Sequence, residues 1–468
     1  MSDSGAAATG HRPILPLPLS VGLVACAFAI GSSQVSAAAS LVFLLVVLVF
    51  VCWRLSAFSP VSSITWILAY LALSTVGRGL SLIALHQPGA PIYSLLGGGS
   101  YLAEAIKMSV QDNLIGMAAF SLGVRVVRSR NREGSMRVPT MNASGLAPWI
   151  VLGAATLALP VQGWLRATTD PTEGGTFILD LPGYAALGIL TALTAALFAG
   201  RRIRLTLWTF LMAYAVVLLF LIGSKFGVLA VVVAVIVGST VSGRGKALPR
   251  LIRTTARFGL PIAALVVFSV PVLSGSSESA PLSQRLQVGA DALVSRSYSL
   301  DAEMASREWL RQRGNDYLLG SSFASIAYSW VPRQLWPEKP KSFSDSFGQD
   351  IFGFSPQSGI RFFSPSYTGE WLLNFSYPGI IVGWMLFGYA ARRSDLVADL
   401  GLRAVFVIVM THMIEGSLVA QFWLAAPLVF GALLLTSRRP SSTPPSRPGS
   451  PLSEVPALAL GRPEVAER

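Results

Sequence analysis

The chain has 468 residues; 52% are hydrophobic, only 13% are charged, and the formal net charge is +13. That charge content is about half of what a soluble globular domain carries, and a disordered chain needs low hydrophobicity, so both classes are excluded. The positive excess does not point to nucleic acid, because nearly half of the 36 basic residues fall in short groups directly after apolar runs. That placement is how membrane proteins fix their orientation.

In chain order, about twelve apolar runs are long enough to be candidate spans. They lie near 14–30, 37–53, 61–85, 101–124, 146–165, 183–200, 205–222, 226–241, 258–274, 374–391, 402–415 and 417–436. The first run has a basic flank, but a second follows at once, so it reads as a retained span rather than a cleaved leader. With a cytoplasmic N-terminus at 1–13, every even-numbered span must end inside. Arg54, the arginines of 125–137, Arg201 to Arg204, the cluster of 244–257, the pair Arg392 and Arg393, and the pair Arg438 and Arg439 all follow even-numbered spans. The positive-inside rule therefore holds along the whole chain without adjustment. The expected organisation is spans one to nine over 14–273, an outside loop over 274–373, spans ten to twelve over 374–436, and a cytoplasmic tail over 437–468. The tail is rich in Pro and Ser and reads as disordered.

The outside loop, about 100 residues, is too long for a passive connection. It holds ten acidic and nine basic residues and many aromatics, which favours folded structure resting on the membrane. Within it, 283–313 reads as one or two amphipathic helices with Gly314 as a stop. The stretch 318–331 is apolar but too short to cross, so it suits an interfacial or re-entrant helix. Pro332, Pro337 and Pro340 then impose an extended, turning chain.

Charges at membrane depth are expensive and usually functional. Arg78 lies inside span three. Span four opens with Glu104, Lys107, Gln111 and Asp112, spaced by helical turns. They either neutralise one another or line a polar cavity near the outer leaflet. His412 and Glu415, at the end of span eleven, form an acid–base couple or a polar helix end. Lys225, in Gly223-Ser224-Lys225-Phe226-Gly227 between spans seven and eight, is an interfacial anchor or a contact for an anion on a lipid. Cys26 and Cys52 lie in apolar runs, and the three histidines show no metal-ligand spacing. No metal and no cofactor are expected.

Two stretches of the loop are the richest. Val331-Pro332-Arg333-Gln334-Leu335-Trp336-Pro337-Glu338-Lys339-Pro340 carries two cations and a tryptophan on a proline-stiffened chain. Arg333 and Lys339 suit phosphate oxygens and Trp336 a sugar face, although a rigid surface turn would look the same. Further on, Gly369-Glu370-Trp371-Leu372-Leu373-Asn374-Phe375-Ser376-Tyr377-Pro378-Gly379 leads into span ten. Glu370 and Asn374 are four apart and share a helix face. Glu370 is either a general acid or base or part of a helix cap.

These two stretches, with Gly223-Ser224-Lys225-Phe226-Gly227, resemble the bacterial oligosaccharide repeat-unit polymerases, the O-antigen polymerase (Wzy-like) family. That family shows a Pro-Arg then Trp-Pro-x-Lys-Pro pattern, followed by Gly-Glu and then Asn-Phe-Gly. This chain departs from it at Lys225, where the family often has arginine, and at Ser376, where it often has glycine. The resemblance implies an all-α polytopic membrane protein of the GT-C-like glycosyltransferase class. It implies an enzyme that joins repeat units carried on polyprenyl diphosphate at the outer face of the cytoplasmic membrane, without metal. Glu370 and Arg333 would be catalytic. Lys339, Lys225, Arg296, Arg361, Arg78, Trp336 and Asn374 would bind the diphosphate and glycan. The partners implied are lipid-linked donor and acceptor, the bilayer, and a flippase and a chain-length regulator as candidate neighbours; nucleic acid is not among them. A lipid-linked glycan ligase, another polyprenyl-dependent glycosyltransferase and a flippase remain alternatives.

Overall fold

The computed structural model describes residues 17–32, 34–56, 58–85, 92, 95–96, 99–127, 150, 153–154, 157, 177–199, 226–241, 299–329, 331, 335–340, 343–352 and 364–435. Spans seven and nine, most of span five, the loop before residue 299 and the C-terminal tail lie outside these residues, as does the N-terminus. The described chain is almost entirely helical, with no strand.

The helices are α1 (Leu17–Ser32), α2 (Ala37–Ser56), α3 (Ser63–Leu71), α4 (Arg78–Leu85), α5 (Gly99–Val126), α6 (Phe177–Ala199) and α7 (Phe226–Val241). They continue with α8 (Ser299–Gln312), α9 (Ser321–Ser329), α10 (Phe343–Phe352), α11 (Tyr367–Asp395), α12 (Leu400–His412) and α13 (Leu418–Leu435). A single π-helical segment, Ala72–Gly77, joins α3 to α4 without a break. Among the described residues, three helical stretches are long and apolar enough to cross a membrane: Ala37–Ser56, Ser63–Ala84 and Tyr367–Asp395. The length expected of α5 is there, but Glu104, Lys107 and Asp112 interrupt its first half, and it is not among those three.

Within 274–373, two of the expected elements fall among the described residues. The helix α8 stops where Gly314 takes φ +63°, and the short apolar run becomes α9. Span ten starts earlier than its apolar run, because Ser366 caps α11 by accepting the Gly369 N–H at 3.0 Å. That helix is broken at Phe375 and Ser376, with Ser376 at φ 59°. Pro378 stands in the first turn after the break, where its missing N–H costs nothing.

Two apolar cores result. One gathers α1 to α5 with α8, α10 and α11, around Leu41, Ile64, Leu114, Phe120, Met304 and Trp384. The other gathers α6, α7, α12 and α13, around Ile189, Ala234, Val405 and Leu428. Glycines set the closest approaches. Gly116 abuts the Trp384 ring, and Gly388 the backbone of Phe120. A Cβ at either position would collide, so α5 and α11 are in direct contact. Numbers rise together across that contact, so these helices run parallel and end together at Arg125 and at Arg392 and Arg393.

Candidate functional site

The sequence of α8, Ser299–Gln312, is polar, yet it is sunk into the bundle. Asp301, Glu303 and Ser306 are all at most 4% exposed. Buried charges need partners, and α8 finds them on three neighbours. Asp301 accepts from Arg78 of α4, from Nε at 3.1 Å and Nη2 at 2.8 Å. Both side chains are nearly solvent-free. Arg307 forms a forked pair with Asp112 of α5, with Nε donating at 2.8 Å and Nη2 donating to the other oxygen. Nη2 also donates to the Tyr377 hydroxyl at 3.2 Å, and the guanidinium lies 5.7 Å from that ring.

Glu303 sits between these pairs without a cation of its own. Its Oε2 accepts from Asn113 Nδ2 at 2.8 Å. Its Oε1 and Asn113 Oδ1 are buried and have no hydrogen-bond partner among the described residues. Burial, reinforced by the Asp112 carboxylate, pushes the Glu303 carboxyl up to about 8, against weaker opposing pulls from Asn113, Thr368 and Arg307. Burial opposes the charge of Arg307, but Asp112 and Tyr377 hold it above its ordinary range.

A second polar knot lies at the start of α11. Glu370 accepts from Ser322 Oγ of α9 at 3.0 Å through one oxygen and from the Leu418 N–H of α13 through the other. Leu418 opens α13, so the carboxylate caps that helix at the positive end of its dipole. Asn374 Nδ2 donates to Ser322 Oγ at 2.7 Å, and its Oδ1 accepts from the Gly320 N–H at 2.8 Å. Leu318 and Leu319 donate to the carbonyls of Leu373 and Asn374, closing the broken helix end. The spacing of Glu370 and Asn374 is therefore read correctly as one face. The carboxylate is 1% exposed and ties three helices together.

The other expected residues divide. Arg78 is engaged with Asp301, as above. Trp336 is 41% exposed and meets Tyr328 of α9 edge-on at 6.2 Å between centroids. Lys339 folds back to donate to the Val331 carbonyl at 2.8 Å. Arg333, Lys225, Arg296 and Arg361 lie outside the described residues. Glu104 pairs with Lys107 at 2.8 Å and His412 with Glu415 at 3.2 Å, so each of these couples is at least an ion pair or polar helix end. Among the described residues, no group of three or more His, Cys, Asp or Glu is arranged to hold a metal, and both cysteines are free.

Sequence reasoning missed Asp301, Glu303 and Arg307 as individuals. One signal was present: Asp112, at membrane depth, demands a cation, and the loop helix interleaves its charges with small residues that allow close packing. No protein-family model matches the chain, and no curated protein and no solved structure matches it.

Proposed function

We propose that this protein is a membrane glycosyltransferase that polymerises oligosaccharide repeat units carried on polyprenyl diphosphate at the outer face of the cytoplasmic membrane. The observation that carries this reading is a convergence on α9. The stretch 331–340 reaches it through Trp336 on Tyr328 and through the Val331 N–H, which donates to the Tyr328 carbonyl at 3.0 Å. The stretch 369–379 reaches it through Glu370 and Asn374 on Ser322 and Gly320. Two motifs some thirty residues apart, which carry the family resemblance, thus share one support, as parts of one site should. The reading also takes twelve spans with 274–373 outside. The shared end of α5 and α11, with its arginines, agrees with an inside face there.

In this reaction the bond between the anomeric carbon and the donor's diphosphate oxygen breaks, and its electron pair leaves with the diphosphate. The acceptor hydroxyl oxygen forms the new bond and gives up its proton to a carboxylate. Arg333 and Lys339 stabilise the departing charge, Trp336 holds a sugar face, and Glu370, which bonds to Ser322 of α9, is the carboxylate assigned to take the proton. The experiment is glycan length on the lipid carrier, with and without the gene, and with Arg333→Ala or Glu370→Gln restored in its place. Deletion and each variant should leave single repeat units and no polymer, at unchanged protein level. Polymer of normal length after deletion would end the proposal.

A further inference from the structure

Arg307 has hydrogen-bonding capacity left over. A guanidinium carries five N–H donors. Nε spends one on Asp112, and Nη2 spends two on Asp112 and Tyr377. Nη1 donates to nothing among the described residues, although the side chain is only 20% exposed. Nη1 is not among the buried unpartnered atoms, so this edge of the guanidinium faces the accessible side and keeps donors to spare for an anion that arrives from outside. Asp112 and Tyr377 fix the plane of the guanidinium, which lets it meet oxygens in a set geometry.

The surroundings say what carries that anion. Tyr377 touches Phe28 of α1, with centroids 6.3 Å apart, and Phe28 is 53% exposed. Ile381, one turn along α11 from Tyr377, is also exposed, as is Met108, one turn before Asp112 on α5. An exposed apolar surface on three helices therefore flanks a fixed, partly accessible cation. A soluble anion would gain nothing from that surface, whereas a phosphate ester on a hydrocarbon chain would use both.

We infer that Arg307, held by Asp112 and Tyr377 and flanked by Phe28 and Ile381, forms a binding site for the phosphate oxygens of a lipid-borne phosphate ester. This rests on the proposed glycosyl transfer, in which the occupant is the diphosphate of one lipid-linked substrate. Arg307 acts there as a binding residue, and Asp112 as the group that positions it.

The test is titration of the purified full chain in detergent with farnesyl diphosphate, with farnesol, inorganic pyrophosphate and phosphatidylglycerol as competitors. Wild type should bind farnesyl diphosphate, and farnesol and pyrophosphate should each compete at least tenfold less well. Asp112→Asn keeps the cation but loosens its positioning, so it should bind more weakly than wild type and more tightly than a variant that also lacks the cation. Arg307→Gln combined with Asp112→Asn replaces the ion pair by two amides and avoids stranding a buried charge. That double variant should keep a thermal midpoint close to the Asp112→Asn value and lose affinity about tenfold or more. Unchanged affinity in the double variant would overturn the site. Equal competition by farnesol would remove the anion from it, equal competition by pyrophosphate would remove the lipid chain, and equal competition by phosphatidylglycerol would make it a phospholipid headgroup site. If binding requires Arg307 while gene deletion leaves glycan length unchanged, the polymerase reading falls and the site stands. If deletion abolishes polymer while the double variant binds like wild type, the site falls and the polymerase reading stands.

Discussion

Glu303 shares its surroundings with Asp112, but of these two carboxyls the Arg307 guanidinium bonds only to Asp112. The carboxyl left over is completely buried, and that burial pushes it up to about 8 from its ordinary value near 4.5. The folded protein therefore holds a proton that the unfolded chain releases at lower pH. The stability tied to that proton is fully present below about pH 4.5 and is lost as pH rises through about 8. The thermal midpoint should fall between about pH 4.5 and 8 and level off above, and Glu303→Gln, which fixes the neutral form, should flatten that fall. An equally steep fall in the variant would assign the titration to another group. This cluster was hard to find from the sequence. Asp112 stood out as a charge at membrane depth, but any of several loop cations could have been its partner.

The kink of α11 belongs to the next scale. Ser376 takes φ 59° and ψ −148°, a region that glycine enters freely and other residues enter at a cost of about 1–3 kcal/mol. Its hydroxyl is bonded to Tyr317 at 3.2 Å, which offsets part of that cost. Ser376→Gly should therefore raise stability by about 1 kcal/mol, read as a higher thermal midpoint. A lower midpoint would mean that the Tyr317 contact outweighs the strain. The apolar run starting at residue 374 announced a membrane helix, but the element begins earlier, at Tyr367, since a cap and an end-to-end splice with residues 318–320 extend it outward. Hydropathy could not see this, because the extension is held by backbone and polar side-chain bonds.

At the scale of the whole molecule, basic groups recur after every second apolar run, and α5 and α11 end together with theirs. The turn after α8, at Gly314 and Asn315, is exposed and tolerates insertion geometrically. An epitope tag placed there should be reached by antibody on intact spheroplasts, and a tag after Leu435 should be reached only after permeabilisation. The opposite labelling would invert the orientation and remove the outer-face reading with it.

The sequence by itself determined a largely apolar chain built of helices, the stop at Gly314, and the placement of Glu370 and Asn374 on one face. Those properties are local: period, cap and spacing act within a few residues. Only the tertiary structure decided that α8 is buried, that Arg78 belongs to Asp301 and Arg307 to Asp112, and that Glu370 caps α13. Each of those bonds joins residues dozens to hundreds of positions apart, and which of several equivalent charges meet depends on how closely small residues such as Gly116 and Gly388 let the helices approach.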